Sequence, residues 1–455
     1  MARVAVSSDE KSAAGFPLQR GMGLSHWQQT TRANPLLNHR STADLPTGAD
    51  VVVIGSGISG AVAALSLLQD ANPPRSIVML EARELCSGAT GKNAGHCKPD
   101  VWRGFCRYAE RVGVTQAMKI LENERQTWEA LVDYITKEKV DCDVWVGKTL
   151  DVLMDDESVR AAAVNFEAFK AAGGNVSPID VTLDPNEAEK ISRIHGAKAV
   201  YAWNASTLHP FKLGLGLNLQ TWTPATSVEG SANQWVVRTE RGSISTPTVI
   251  HATNGFAGTL LPETRSVIIP TPHMCDRVVP PASFSGSFAL QNSYAVISTK
   301  GMYSINPRST SDGVILFGGT SPNIHKLEEY VARDHKRQVD DSLINFKPVT
   351  DAVRELGTNG FRWDEQKLGA SPRYDYAWSG ILGMSVDEVP FVGAVPGKEG
   401  QWMSCGHTGH GMARIFTCSP ALAKMVRGSK WSDVNLPDCF QVTQERLDRL
   451  SDREV

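Results

Sequence analysis

The sequence predicts an α/β fold in which a Rossmann-like dinucleotide-binding domain carries an inserted α+β domain with a mixed or antiparallel sheet. One observation is a β-branched run at residues 50–54 that leads directly into a glycine-rich turn. A second is the helix and strand pattern after this turn, which completes a βαβ unit. A third is the alternation within residues 294–305 and 313–320, which is typical of strands in such a mixed or antiparallel sheet.

The length and charge of the chain exclude several classes of protein. It has 455 residues, and single hydrophobic cores stop growing near ~250–300 residues, so we expect two domains or one large domain with an insertion. The net charge of −3 gives no electrostatic reason to expect nucleic acid or an anionic membrane as a partner. Apolar runs fall far short of the ~18 residues of a spanning helix, so we expect no membrane span.

The ends of the chain and its cysteines indicate an intracellular, cytoplasmic protein. The N-terminal residues lack the apolar segment of a secretory signal, and the C-terminal residues do not form a peroxisomal signal. The eight cysteines form no CxxC pair, and the spacing of Cys and His gives no zinc pattern. We therefore expect reduced thiols and no metal site.

The βαβ unit is justified element by element. Residues 50–54 have the β-branched composition of a buried parallel strand. Helix formers fill residues 61–68, and an Asn-Pro-Pro sequence at 72–74 ends this helix because proline cannot continue it. Residues 76–80 form the second strand, and Glu81 lies at its end.

The turn between the first strand and the helix has the dinucleotide-binding pattern Gly55-x-Gly57-x-x-Gly60. Gly55 permits the tight turn, Gly57 lets the backbone approach a pyrophosphate, and Gly60 lets helix and strand pack closely. Glu81 can accept hydrogen bonds from an adenosine ribose and would repel a 2′-phosphate. This pattern alone leaves NAD and FAD both open.

Other periodic segments complete the predicted secondary structure, and residues 1–48 form a polar N-terminal arm without sustained periodicity. The apolar spacing predicts long helices at 116–139 and 156–173. Further on, the sequence predicts strands at 234–239 and 248–252, a hairpin turn at 241–242, and a last helix near 412–427.

Residues 81–96, which read EARELCSGATGKNAGH, resemble a loop of the D-amino acid oxidase-like FAD-dependent oxidoreductases, in the branch of glycine, sarcosine and γ-glutamylputrescine oxidases. In that family an arginine or similar group follows the ribose-binding acid, and a loop of the form SGATGRNGG then runs along the pyrophosphate to the flavin. Small residues let backbone amides approach an anionic ligand. This chain departs from the pattern by having Lys92 for the usual Arg and Ala94 for a usual Gly.

The resemblance continues in order through the chain and covers roughly residues 48–430. The closing segment leads a helix toward the flavin pyrimidine, where its N-terminus would stabilise the reduced anion. The matching segments are the HPxKL helix start at 208–213, an adenine-contacting strand at Val228, the pyrophosphate segment at 249–255, substrate-domain strands at 303–308 and 318–319, the return segment at 378–393 and the closing loop at 406–412.

The fingerprint and the resemblance together imply a bound FAD. We expect it to be non-covalent, because residues 380–384 contain no cysteine before the return segment and no histidine precedes Lys92 and Asn93 in the loop. The expected FAD contacts are Gly55, Gly57, Ile58, Ser59, Gly60, Glu81, Ala82, Arg83, Ser87, Gly88, Ala89, Thr90, Gly91, Lys92, Asn93, Ala94, Gly95, His96, Val228, Ala252, Thr253, Asn254, Gly255, Gly406, His407, Gly409, His410, Gly411 and Met412.

The resemblance also implies discontinuous domains. The FAD-binding domain is expected at 45–100, 200–265 and 375–430, and the substrate domain at 101–199 and 266–374. Residues 1–44 then form the N-terminal arm and 431–455 a C-terminal tail.

Four residues are candidates for catalysis. His96 ends the flavin loop and could polarise the substrate or bind the flavin, or it could cap local backbone. His410 lies in the closing loop. Tyr303 and Arg308 lie on strands that are expected to form the base of the substrate cavity, where an arginine could pair with a substrate carboxylate. The alternative for Arg308 is a surface residue.

The expected activity is oxidation of a C–N bond in a small amine or amino-acid-like substrate to an imine, with O2 accepting the electrons and giving H2O2. Three alternatives stay open. The first is a dehydrogenase that passes electrons to a quinone or an electron-transfer protein. The second is a tailoring oxidase or cyclase of secondary metabolism, and the third is a flavin-bound fold kept only for binding.

Overall fold

The computed structural model describes residues 15–210, 218–363 and 373–452, so residues 211–213 of the HPxKL segment lie outside the described residues. The helices in these ranges are α1 His26–Thr30, α2 Ile58–Leu68, α3 Phe105–Val112, α4 Val114–Glu138, α5 Asp156–Ala171, α6 Pro185–Ser192, α7 Ala257–Leu260, α8 Ile324–Ala332, α9 Lys347–Glu355, α10 Ile415–Val426 and α11 Gln444–Ser451. The strands are β1 Val51–Ile54, β2 Ile77–Leu80, β3 His96–Cys97, β4 Trp145–Leu153, β5 Asp180–Thr182, β6 Ala199–Thr207, β7 Asn218–Gln220, β8 Ser227–Ser231, β9 Gln234–Thr239, β10 Gly242–Thr246, β11 Thr248–His251, β12 Ile268–Val279, β13 Ser293–Ser298, β14 Gly301–Pro307, β15 Ile315–Gly318, β16 Arg373–Ser385, β17 Phe391–Ala394 and β18 Gln401–Cys405.

The first sheet has the strand order β17-β18-β11-β1-β2-β7. Its strands pair in parallel except β17, which is antiparallel to β18. All four residues of β1 are buried, as a β-branched strand in the middle of a covered parallel sheet should be. The predicted βαβ unit of β1, α2 and β2 is therefore confirmed, and the helices predicted at 116–139, 156–173 and 412–427 correspond to α4, α5 and α10.

A small sheet of β10, β9 and β8 covers part of the first sheet. Trp235, Val237 and Ile244 pack in one apolar cluster with Val52 and Val78 of the first sheet. The strands β9 and β10 are antiparallel and are joined by a turn at residues 240–241, one residue before the hairpin turn predicted at 241–242.

The large sheet runs β16-β12-β15-β14-β13-β4-β6-β3, with β5 paired to β6. Its pairs are antiparallel except β13 with β4, which confirms the predicted mixed sheet. Together the sheets confirm the predicted fold class, in which a Rossmann-like domain is combined with an α+β substrate domain.

Two strands of the large sheet extend across the expected domain boundaries. The strand β6 pairs with β4 along its whole length, although the FAD-binding segment was expected to begin at residue 200. The strand β16 pairs with β12 from residue 373 to 385, although a FAD-binding segment was expected from 375. Most residues of both strands are buried, and a local pattern cannot indicate which sheet a buried strand joins. The rest of the division into domains stays a prediction.

The C-terminal residues form a helix where the sequence predicts only a tail. Leu447 and Leu450 of α11 pack in a cluster with Phe391 of β17. The Arg446 guanidinium binds the Asp387 carboxylate through bonds of 2.9 and 3.0 Å, and both side chains are buried. The helix has few apolar positions, so its periodicity is too weak to detect in the sequence.

None of the helices in the described ranges is both long and apolar enough to cross a bilayer.

Removing the ion pair between Arg446 and Asp387 tests how the C-terminal helix contributes to stability. We expect Arg446→Ala to lower the free energy of unfolding by about 3–5 kcal/mol, because it leaves a buried carboxylate without its partner. Urea unfolding of the FAD-saturated protein measures this. Arg449→Ala on the exposed side of the same helix is the control, and equal losses in the two variants would contradict the prediction.

Candidate functional site

A cavity of about 1880 Å³ is lined by residues from both the first and the large sheet. Ile54 and Leu80 are the last residues of the parallel strands β1 and β2, and Ala252 directly follows β11. His273 of β12 and Met302 of β14 line the cavity from the large sheet. Pockets for drug-sized ligands measure roughly 300–1,000 Å³, so this cavity has room for a dinucleotide together with a second, smaller molecule.

The glycine-rich turn at the end of β1 is tightly packed. Gly55 has a φ of +110°, which favours glycine, and a Cβ there would lie 2.5 Å from the carbonyl oxygen of Ala252. A Cβ on Gly60 would lie 2.1 Å from the carbonyl oxygen of Gly55. Gly60 thus has the close packing between helix and strand that the sequence predicts, and this contact brings the N-terminus of α2 to the cavity.

Glu81 at the end of β2 is held in place by three hydrogen bonds. Its Oε2 accepts from the backbone N–H of Ser56 at 3.1 Å and from the Ser56 hydroxyl at 2.6 Å. Its Oε1 accepts from the N–H of Arg83 at 3.0 Å. Glu81 lines the cavity at the end of the strand, where a Rossmann-type acid binds a ribose.

Residues 82–96, which we call the cofactor loop, are tied to α2 and to the large sheet. The Thr90 hydroxyl accepts the N–H of Ile58 at 3.0 Å, which joins the loop to the first turn of α2. The indole N–H of Trp378, on β16, donates to the carbonyl of Lys92 at 2.9 Å. Ala94 is not among the residues with positive φ, so alanine in place of the family's glycine brings no backbone strain there.

The two cations of the cofactor loop bind one buried carboxylate. Arg83 lies 2.9 and 3.0 Å from the oxygens of Asp341, and the Lys92 ammonium lies 2.8 Å from Asp341 Oδ2. Burial lowers the pKa of Lys92 to about 8, against the opposing effect of the Asp341 charge. Arg83 and Lys92 line the cavity as predicted, but their charged groups are already paired with Asp341.

Asn254 connects the pyrophosphate segment to the closing loop. Its Oδ1 accepts the N–H groups of Gly406 and His407 at 3.1 and 3.2 Å. The Nε2 atom of His407 lies 3.2 Å from the Ser59 hydroxyl, and burial lowers the pKa of His407 to about 3. No partner for His407 Nδ1 occurs among the described residues, although this atom is buried.

Most of the expected FAD contacts line this cavity, and the others support its wall. Val228 does not reach the cavity: it packs in the apolar cluster beneath the small sheet, while Pro224 and Ala225 line the wall nearby. The expected contacts that line the cavity are Gly55, Gly57, Ile58, Ser59, Glu81, Ala82, Arg83, Ser87, Gly88, Ala89, Thr90, Lys92, Asn93, Ala94, His96, Ala252, Thr253, Asn254, Gly255, His407, Gly409, His410, Gly411 and Met412, whereas Gly60, Gly91, Gly95 and Gly406 do not.

Two of the four catalytic candidates face the cavity. The Nε2 atom of His96 lies 3.2 Å from the carbonyl oxygen of Ile305, so this nitrogen carries the proton and donates it. The hydroxyl of Ser304 then donates to His96 Nδ1 at 3.2 Å. Burial lowers the pKa of His96 to about 3 and that of His410 to about 4, so both rings are neutral near pH 7.

The other two candidates, Tyr303 and Arg308, point away from the cavity. Side chains alternate along a strand, and because Met302 and Ser304 line the cavity, Tyr303 faces the opposite side of the sheet. There the Tyr303 hydroxyl donates to the carbonyl of Ala352 at 2.9 Å. Arg308 is buried against Asp312, with bonds of 3.0 Å, and does not line the cavity. Its predicted role with a substrate carboxylate is therefore wrong.

Sequence reasoning missed a cluster of charged residues that lies just beyond the cofactor loop. Asp100 binds Arg103, and Glu124 binds the buried Arg414 at 3.1 Å. His410 lies between the two carboxylates, 3.9 Å from Asp100 and 3.7 Å from Glu124. Burial raises the pKa of Glu124, whereas at Asp100 the effect of burial is outweighed by the charge of Arg103 and its hydrogen bond, which lower the pKa. The charged residues of the segment 98–103 were the available signal.

The same cluster resembles a metal site in composition only. Ligand-type atoms of Asp100, Glu124 and His410 lie within 4.8 Å of one another. Arg103 and Arg414 already neutralise the two carboxylates, so the charge that would attract a cation is compensated.

The comparisons with known proteins agree with this geometry. A model of the family described as FAD dependent oxidoreductase (DAO) matches residues 50–427, so the chain belongs to this family. The chain is 24% identical over 404 residues to the "Probable oxidoreductase OrdL" of Rhizobium meliloti, covering 84% of this chain and 83% of that protein.

Two solved structures share the fold. Glycine oxidase from Geobacillus kaustophilus superposes with a TM-score of 0.67 at 16% identity, covering 88% of this chain and 99% of that one. L-proline dehydrogenase from P. horikoshii gives a TM-score of 0.64 at 18% identity, covering 87% and 98%. The expected family is thereby confirmed, and the protein is an FAD-dependent oxidoreductase.

The residues of the cavity fit FAD. The turn from Gly55 to Gly60 presents a helix N-terminus, Glu81 stands at the ribose position, and His407 Nδ1 is a buried polar atom that lacks a partner among the described residues. The oxidised flavin accepts a hydride, and the residues described above would hold its dinucleotide portion.

A substitution of the tightly packed Gly60 tests the dinucleotide site. We expect Gly60→Ala to cost about 1–3 kcal/mol of stability, because its Cβ would overlap the carbonyl of Gly55 and force the helix away from the strand. The purified protein should therefore contain less FAD per chain, measured from the ratio of flavin to protein absorbance. Gly48→Ala is the control, since its Cβ would make an ordinary contact of 3.6 Å with Ser245. Full FAD content in Gly60→Ala would refute this role.

Proposed function

We propose that this FAD-dependent oxidoreductase removes a hydride from the carbon of a C–N bond in an amine or amino-acid-type substrate and releases an imine. The observation that carries this proposal is that one cavity joins the dinucleotide turn to a wall of neutral histidines. His96, His273 and His410 line this wall, and burial lowers the pKa of each ring well below neutrality. Amine oxidation needs the neutral amine beside the flavin, and a chamber of uncharged rings favours that form over the ammonium ion.

The residues of the chain would orient the substrate more than they exchange protons with it. Both ring nitrogens of His96 are engaged in hydrogen bonds, so His96 would act as a fixed part of the wall. His273 Nε2 accepts the N–H of Gly319 at 3.2 Å, which leaves the proton of its neutral ring on Nδ1 as a donor. His410 lies 3.7 Å from the Glu124 carboxylate, whose raised pKa suits it to take up a proton passed from the amine.

A cationic face at the cavity suits a carboxylate, which supports an amino-acid-type substrate. Arg107 and Arg111 both line the cavity and share a single carboxylate, Glu388, at 3.1 and 2.8 Å. Glu388 therefore balances only one of the two positive charges. Arginine is the side chain best suited to bind a carboxylate through two hydrogen bonds. In this proposal Arg107 and Arg111 take the role that the sequence suggested for Arg308.

The names of proteins with similar folds support the same substrate class. Glycine oxidase and L-proline dehydrogenase are named for amino acids, and both have folds like this one. One is named an oxidase and the other a dehydrogenase, which are the two activities between which the sequence leaves a choice. We propose O2 as the acceptor, with H2O2 as its product, and keep a dehydrogenase that uses another acceptor as the alternative.

The decisive test is an anaerobic screen of amino acids and amines against the FAD-loaded protein. We expect at least one amino acid to bleach the visible absorbance of the flavin, because its carboxylate would bind Arg107 and Arg111 and place its Cα–H at the flavin. The corresponding amine without a carboxylate should reduce the flavin more slowly at the same concentration.

The screen also separates the competing functions. Reduction followed by rapid reoxidation in air, with formation of H2O2, is expected for an oxidase, whereas slow reoxidation in air and fast reoxidation by a quinone indicate the dehydrogenase. Amines and amino acids that all leave the flavin oxidised would contradict the proposed activity.

We also propose that the FAD is bound without a covalent link. Cys275 is a cysteine at the cavity, and burial raises the pKa of its thiol to about 12, which keeps it unreactive. Acid precipitation of the loaded protein should therefore release the yellow flavin into the supernatant. Colour that stays with the precipitated protein would disprove this proposal.

A further inference from the structure

We propose that residues 23–31, a segment that precedes the family match, form a clamp that holds the cofactor loop in the conformation that binds FAD. This N-terminal clamp includes α1. Its residues contact the cofactor loop but do not themselves line the cavity. Its residues would therefore be positioning residues that act on FAD through the loop. The proposal depends on FAD binding and does not depend on the substrate.

The clamp binds three consecutive residues of the cofactor loop. The Ser25 hydroxyl donates to the carbonyl of Gly91 at 2.5 Å, and the indole N–H of Trp27 donates to the carbonyl of Asn93 at 2.6 Å. Between them, the ammonium group of Lys92 donates to the carbonyl of Gly23 at 2.7 Å. The loop therefore faces the cavity on one side and is fixed by the clamp on the other.

The clamp is itself rigid. Ser25 and Gln28 form a reciprocal capping box at the start of α1, with bonds of 2.9 and 3.1 Å, and both side chains are buried. Trp27 is 0% exposed. A Cβ on Gly95 would lie 2.8 Å from the ring of Trp27, so the indole packs directly against the loop backbone.

Arg308 packs against this clamp. Its guanidinium lies 4.6 Å from the centre of the Trp27 ring and is held by Asp312. The same Asp312 binds His26 at 2.9 Å. One carboxylate therefore holds both the imidazole of His26 and the guanidinium of Arg308. This arrangement accounts for a buried arginine that does not reach the cavity.

The contacts of the clamp predict how FAD binding depends on it. Without them the loop would sample other conformations, and the observed affinity falls in proportion to the fraction of molecules in the competent one. The bond from Trp27 is the most informative to remove, because phenylalanine keeps an aromatic ring at the site but cannot donate to the carbonyl of Asn93. A buried carbonyl left unpaired costs enough to depopulate the bound loop conformation about tenfold.

The test compares Trp27→Phe with Trp235→Phe in the FAD-loaded enzyme. Trp235 is a matched control, because its buried indole N–H donates to a backbone carbonyl, that of Glu399, at 2.8 Å in the small sheet. Two quantities are measured: the rate of FAD release after dilution, followed by the rise in flavin fluorescence, and the amide hydrogen exchange of residues 89–96. We expect Trp27→Phe to release FAD about tenfold faster and to exchange faster in this segment, with Trp235→Phe unchanged in both.

Ser25→Ala is a second, smaller substitution in case Trp27→Phe does not fold. It removes the bond to Gly91 and should also accelerate FAD release and exchange of residues 89–96. The proposal is overturned if the clamp variants that fold release FAD at the native rate, or if Trp235→Phe accelerates release as much as they do.

Discussion

The structure depends on one buried carboxylate, that of Asp341, which neutralises two buried cations at once. Isolated charges in an interior of low polarity are costly, so Arg83 and Lys92 can be buried at the cavity only because Asp341 binds both. Asp341 lies in the segment between α8 and α9, whereas both cations lie in the cofactor loop. The ion triad thus connects the loop that faces the cofactor to a segment that packs beside the large sheet.

This constraint determines what reaches the cavity. The charges of the cofactor loop are used within the protein, so the loop presents mainly backbone and small side chains to the dinucleotide. On the substrate side, the charges of Asp100 and Glu124 are compensated by Arg103 and Arg414, and the histidines in front of them are neutral. A cavity of this kind binds a polar cofactor through oriented dipoles and leaves an uncharged space beside it for the reacting bond.

The features that the sequence predicts well depend on residues close together in the chain. The βαβ unit with Gly55, Gly60 and Glu81 spans a short segment, and the hairpin of β9 and β10 is equally local. The cofactor loop was predictable because its small residues form a continuous pattern. Even the close approach at Gly60 follows from the spacing of three glycines.

The features that it does not predict depend on pairing across the chain. A shift of one position along a strand reverses the face of every side chain, and this is why Tyr303 was placed at the cavity although Met302 and Ser304 are the residues that line it. The strands β6 and β16 lie largely within ranges that were expected in the FAD-binding domain, yet both pair in the large sheet, with partners that are distant in the chain. Arg83 and Asp341 are 258 residues apart, and no local pattern indicates that they meet.

The most direct test of this account is a crystal structure of the FAD-loaded enzyme. The account predicts that the ADP portion lies against the turn from Gly55 to Gly60, with the ribose at Glu81, and that the flavin ring lies beside the cofactor loop within reach of His407. The bonds from Arg83 and Lys92 to Asp341 should persist in that structure. A flavin ring remote from His407, or an Asp341 that releases either cation to the cofactor, would contradict it.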